Sequence, residues 1–321
     1  MTFPLVIPTE ISLDADAVRD IGITLEFSRS LDELYHMFVE GKLILAYYKA
    51  DRVFEVKDSG HVEKVELKKH YFINDSPRVD FVKYLRDLKM TQALAAAGGK
   101  KEKAEEISRW FEKLQNLLCG IFEDDSLELL FDEETFQFSI QESGKEPFDF
   151  HTLSSGYAAV LDIVADLMLR MERQTKRTFD FHVPGIVLVD EIDAHLHLEM
   201  QRNIMKFLTA VFPNIQFIVS THSPFILNSL EDAVIYDLEN HLLVERGLAD
   251  IPYDGIVDGY FRVDTMSKSL KEKFDRYRML VKKDGLSDED MEEIAGLELF
   301  LEEIPDYLAL GITTEYRNEG V

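Results

Sequence analysis

The run Ile186-Val-Leu-Val-Asp190-Glu191 constrains this chain more than any other feature. A nearly continuous apolar stretch is the pattern of a parallel strand covered on both faces. Paired carboxylates at its end would emerge at the carboxyl edge of the sheet, where α/β folds bind ligands. A second run of the same kind, Ile215-Gln-Phe-Ile-Val-Ser220, follows a helical pattern over 198–211 and the turn Pro213-Asn214. Asp190 and His222 lie 32 residues apart, the length of one strand–helix–strand crossover. Both side chains are therefore expected at the ends of neighbouring parallel strands.

The rest of the chain reads more loosely. Strands are expected at 23–27 and 43–48, a hairpin at 53–56 and 62–67 around Asp58-Ser-Gly60, and a strand near 233–236. Residues 78–120 are rich in Lys, Glu, Leu and Ala and break at Gly98-Gly99, which predicts two helices with a charged connection. Residues 127–140 alternate as a hairpin should, with Phe136 and Phe138 on one face. A long apolar helix over 156–173 places Asp166 and Arg170 one turn apart, and polar helices are expected at 265–281 and 287–303. The expected organisation is a partial antiparallel lobe over 1–150 carrying the 78–120 helical insertion, a second lobe over 151–245, and an acidic helical tail over 246–321.

A net charge of −26 argues against general polyanion binding by the chain itself, since phosphate contacts need clustered Lys and Arg. The single cysteine, Cys119, excludes an internal disulfide and fits a reducing compartment. No apolar run approaches transmembrane length, and the start Met1-Thr-Phe-Pro-Leu lacks the features of a signal peptide. The expected setting is the cytoplasm, with no membrane partner.

The chemistry concentrates in three places. Asp190 can hold Mg²⁺ while Glu191 orients or deprotonates an attacking water, a division of labour open to adjacent acids. On its own, a strand ending in a solvated acidic turn would look the same. Leu153-Ser-Ser-Gly-Tyr157 opens the long helix, where Ser154, Ser155 and Gly156 form either a ligand-approaching turn or a plain serine cap. In Ser220-Thr-His-Ser-Pro224, His222 can hydrogen-bond a γ-phosphate or the attacking water, or merely precede a short helix. Asp193-Ala-His-Leu-His197 contains an H-x-H core, but no cysteine or third clustered histidine supports zinc. Arg52, in Tyr47-Tyr48…Asp51-Arg52, either meets phosphate or anchors the sheet. The Trp110, Phe111 and Leu114 cluster reads as helix packing.

One expected partner of these motifs is missing. Gly-Lys pairs occur at Gly41-Lys42, Gly99-Lys100 and Gly144-Lys145, but none completes a G-x-x-x-x-G-K-[ST] phosphate loop.

Leu153–Tyr157, Ile186–Glu191, Asp193–His197 and Ser220-Thr-His-Ser-Pro-Phe225 together resemble the signature, Walker B, D-loop and H-loop of ABC-type ATPases. The closer likeness is to the RecF/SMC-like "AAA family ATPase" group of bacterial repair and anti-phage systems. The resemblance is specific over about 150–237. It implies a P-loop NTPase-like α/β fold of the ABC/SMC head type, a mostly parallel sheet flanked by helices. That fold would be incomplete at its amino terminus, where the family carries its Walker A loop.

The resemblance further implies ATP and Mg²⁺ as cofactors, with Asp190 on the metal, Glu191 as catalytic carboxylate and His222 as γ-phosphate switch. Ser154, Ser155, Gly156 and Asp193 would contact ATP in a head-to-head homodimer, coupled to an effector nuclease or nucleic acid. Tyr157 stands where transporters carry Gln, which points away from transporters. The chain alone is expected not to hydrolyse ATP. Two other readings compete: a nonhydrolysing interaction module that docks a partner, and an AAA+ ATPase in which Thr221 acts as a sensor.

Overall fold

The computed structural model describes residues 29–57, 61–251, 255–256, 268–283 and 285–302. The chain divides into two compact units, Met1–Asp250 and Ile251–Val321. The strand expected at 23–27 lies outside the described residues.

The first unit is organised by a three-stranded parallel sheet. Its strands are β1 (Ile44–Tyr48), β5 (Gly185–Val189) and β6 (Ile215–Val219), in the spatial order β1-β5-β6. Tyr48 pairs with Val189 and Val189 with Val219, so the three carboxyl ends are level. Strand period 2 divides the side chains between two layers. Leu45 and Ile186, with Ile218, meet Leu34 and Phe38 of α1 (Leu31–Val39) on one face. Ala46, Tyr48, Val187 and Val189 enter the main core on the other.

Gly185 is fixed by close packing where β5 begins. A Cβ there would lie 2.5 Å from Ile215 Cδ1 and 2.7 Å from the Ile44 carbonyl.

The main core is built on α4 (Ser155–Glu172), backed by α5 (Leu198–Val211) and by the hairpin of α2 (Phe81–Ala97) and α3 (Lys101–Phe122). The hairpin turns at Gly98-Gly99, as its sequence suggests, and is tied inward by a buried carboxylate. Glu172 accepts from Tyr84 Oη and Trp110 Nε1, each at 2.8 Å. Burial without a full countercharge raises the Glu172 pKa despite these two donors. Strands β2 (Glu128–Phe131), β3 (Phe138–Gln141) and β4 (Phe148–Asp149) form a separate antiparallel sheet. Phe136 is not on the strand face expected for it. It sits in the β2–β3 turn at φ +57°.

The hairpin expected at 53–56 and 62–67 does not form. These residues run as irregular chain, satisfied from outside any sheet: Lys57 N–H donates to the Val79 carbonyl and Val65 N–H to Asp87. After β6 come a one-turn helix α6 (Pro224–Leu227) and the hairpin β7 (Ile235–Asp237)–β8 (Leu242–Val244).

In the second unit, α7 (Lys268–Val281) and α8 (Asp288–Glu302) pack through Phe274, Tyr277, Ile294 and Leu297. Arg276 grips Glu293 with two bonds of 2.8 and 2.7 Å.

Candidate active site

The level ends of β5 and β6 bring the two acid- and histidine-bearing loops together. Asp190 and Glu191 follow β5, while Ser220, Thr221 and His222 follow β6. Asp190 N–H still donates to the Tyr48 carbonyl at 2.8 Å, and Ser220 N–H to Val189 at 3.0 Å, so the loops begin from a rigid edge.

Ser220, unremarked in the sequence as a site residue, joins them. Its hydroxyl donates to Asp190 Oδ1 at 2.6 Å and accepts from the Glu191 N–H at 2.8 Å. Ile192 N–H returns a bond to the Ser220 carbonyl at 3.0 Å. Asp190, Glu191, Ser220 and His222 are all exposed. They form an open, oxygen-rich edge rather than an enclosed cavity.

The loop after the acids is backbone-strained. Glu191 has φ +43° and His195 φ +68°, in the left-handed region that side-chain-bearing residues avoid. Such strain persists only where the surroundings over-determine it, and it concentrates at functional sites.

Part of that determination comes from Arg52, which the sequence leaves between phosphate contact and sheet anchor. Its Nη1 donates to the carbonyls of Asp190 (2.7 Å) and Lys49 (3.0 Å). Nη2 reaches Glu191 (2.9 Å), Ile192 (3.2 Å) and Ala194 (3.4 Å). Arg52 is buried, and burial lowers its pKa against the attraction of Asp162, Asp193, Asp190 and Glu191. Anchoring is the observed role.

Asp193 is held from the β6 side, where the Thr221 hydroxyl donates to its Oδ1 and accepts from Ser223 N–H at 2.9 Å. That engagement occupies the hydroxyl an AAA+ sensor would need. The Ser223 hydroxyl in turn donates to Gln201 Oε1 on α5 at 2.7 Å and accepts from Phe225 N–H at 3.2 Å, which caps α6. His197 caps α5 by accepting from Met200 N–H. One histidine of the H-x-H core therefore has a structural role. Among the described residues, no group of three or more His, Cys, Asp or Glu is placed to hold a metal.

Leu153–Tyr157 approaches the same loop from below. Ser154 is the N-cap of α4, yet its side chain makes no capping bond, and Ser154 and Ser155 are both exposed. The serine-cap explanation is thereby weakened. Gly156 is buried, and a Cβ there would lie 3.2 Å from the His195 carbonyl and 3.2 Å from Met200 Sδ. Close approach of two backbones is the reason for glycine here. Tyr157 stacks on Phe122 with centroids 4.1 Å apart, which makes it a packing residue of α4 against α3.

Further along α4 lies a buried ionic cluster. Asp166 accepts from Tyr48 Oη (2.8 Å) and Arg170 Nε (2.6 Å), and Arg170 also binds the carbonyls of Leu45, Tyr71, Phe72 and Asp75. Asp162 pairs with Arg78, and burial pushes its carboxyl up to about 7 although the Arg78 charge opposes the shift.

Comparison with known proteins gives this arrangement a context. A family model described as "AAA domain, putative AbiEii toxin, Type IV TA system" matches residues 50–228, more than half the chain. The chain is 31% identical over 215 residues to the Septu protein PtuA of Bacillus mycoides, covering 63% of this chain and 29% of that protein. It is 32% identical over 151 residues to the retron Ec83 probable ATPase of Escherichia coli, covering 44% of this chain and 27% of that one. The chain thus spans less than a third of the length of these relatives. A solved SMC ATPase aligns at 15% identity with a TM-score of 0.32, over 47% of this chain and 90% of its own.

Proposed function

The chain belongs to the AAA family matched at residues 50–228, and from that premise we propose that its acid loop is the metal- and water-handling half of an ATP-hydrolysing site. The observation that carries the reading is the Ser220 hydroxyl bridging Asp190 Oδ1 and the Glu191 N–H at the sheet edge. One group thereby orients the first acid and pins the backbone of the second, so adjacent carboxylates take different tasks.

Asp190, an exposed carboxylate beside the Ser220 hydroxyl, suits a hard divalent cation such as Mg²⁺. Bound there, the ion would neutralise charge on the phosphate oxygens. Glu191 orients or deprotonates the attacking water, and His222 hydrogen-bonds the γ-phosphate or that water. Ser154, Ser155 and Gly156, at the amino end of α4, meet the phosphates of ATP held by the opposite subunit of a head-to-head homodimer. Asp193, fixed by Thr221, couples the two sites. Hydrolysis would open and close the dimer, in step with an effector nuclease or a nucleic acid.

The β- and γ-phosphates also need a nest of N–H donors and a lysine, and the sequence carries no G-x-x-x-x-G-K-[ST] motif. The activity is therefore proposed for an assembly that contains such a loop, and not for these residues alone.

The test is a comparison of two variants in that assembly. Asp190→Asn should weaken Mg·ATP binding, whereas Glu191→Gln should leave ATP bound and unhydrolysed. Equal nucleotide affinity in the two variants would contradict the division of labour. The missing motif also favours a second reading, a nonhydrolysing module that docks a partner. Under that reading the assembled protein binds no ATP.

A further inference from the structure

We propose that Arg52 is a positioning residue that sets the left-handed backbone of the acid loop and so aims the Glu191 carboxylate. The inference rests on the role given to Glu191 above but concerns a different group, one that touches neither substrate nor metal in that scheme.

Four of the carbonyls Arg52 binds belong to Asp190, Glu191, Ile192 and Ala194, so one planar guanidinium spans the segment that turns the chain away from β5. Within that segment Glu191 stands at φ +43° and Ala194 N–H closes a tight turn onto the Glu191 carbonyl at 2.8 Å. A side-chain-bearing residue avoids that conformation because its Cβ crowds the backbone. Something must therefore outweigh the preference. Ser220 fixes the N–H side of Glu191, and Arg52 fixes its carbonyl side.

The clamp is itself immobile. Arg52 is 5% exposed and is attached through Lys49 to the end of β1. A buried guanidinium keeps its charge, and its fork matches several carbonyls where a lysine ammonium cannot. Asp162 of α4 supplies the largest attraction on it.

Hydrogen exchange in the full chain without nucleotide tests the clamp directly. The reporters are the amides of Ile192, Ala194 and Leu196, which donate to Ser220, Glu191 and Asp193 respectively. In Arg52→Gln, and also in Arg52→Lys, their exchange should accelerate about tenfold or more, while Leu114–Leu118 in α3 stay within about twofold. The decisive arm adds Glu191→Gly to Arg52→Gln. Glycine adopts positive φ without strain, so loop protection should recover by about fivefold or more.

Unchanged loop protection in Arg52→Gln would overturn the proposal. So would equal loss of protection in the loop and in α3, or failure of Glu191→Gly to restore the loop, since each marks Arg52 as mere packing. None of these readouts uses ATP. Failure of the ATPase reading would appear instead as an assembled wild-type protein that protects its loop normally and hydrolyses nothing.

Discussion

At the scale of single residues, the hydroxyl of Ser220 does what the sequence assigns to no residue, and the guanidinium of Arg52 settles on anchoring, one of the two roles the sequence leaves open. Ser220→Ala should cost about 1 kcal/mol in denaturant unfolding, the net worth of a hydrogen bond, and should loosen Glu191 locally. Asp162 gives a prediction in pH. Its folded pKa, about 7, lies above the ordinary 3.8, so the folded state holds its proton more tightly. The resulting stability is fully present below about pH 4 and is lost as pH rises through about 7. Asp162→Asn should therefore flatten the fall in stability between those values in melting curves. An identical pH slope in both proteins would refute it.

These residues also show where sequence reading stops. Asp190, Glu191, His222 and Gly156 were legible because a strand end, a crossover length and a tight turn fix their places. Four of the five carbonyls that Arg52 binds lie more than a hundred positions away, and a carbonyl has no sequence signature.

At the scale of elements, the apolar runs of β5 and β6 and the periodic α4 and α5 were readable because each depends on its own pattern of burial. The hairpin expected at 53–56 and 62–67 shares the alternation of a strand, but the N–H groups of Lys57 and Val65 go to Val79 and Asp87, contacts that the local pattern does not encode. The start of β5 is sterically full, so Gly185→Ala should destabilise by roughly 1–3 kcal/mol through overpacking. A midpoint unchanged within error would mean β5 and β1 separate more easily than their register implies. For α4, the proposed contact across subunits makes a sharper prediction. In the assembly that contains a phosphate-binding loop, mixing Ser154→Arg subunits with subunits whose phosphate loop is disabled should recover one working site per heterodimer. Heterodimers that form without recovering turnover would place the Ser154 turn in its own subunit's site or in none.

At the scale of the molecule, the sheet and the site pull in one direction. Among the described residues β6 is paired on one side only, and Phe217, Ile218 and Val219 are half-buried, so its second edge is open to a further strand. An added phosphate-loop lobe that docks there should slow amide exchange at Phe217–Val219. In the described residues no helix is long and apolar enough to cross a membrane.

The central claim is that Asp190 and Glu191 are the acids of an ATP site, and steady-state ATP turnover in protein assembled with a phosphate-binding loop tests it most directly. The account predicts Mg²⁺-dependent turnover that falls by roughly 10²–10⁴-fold in Glu191→Gln, as expected on removing a general base, with ATP still bound. Turnover that survives Glu191→Gln undiminished would contradict it.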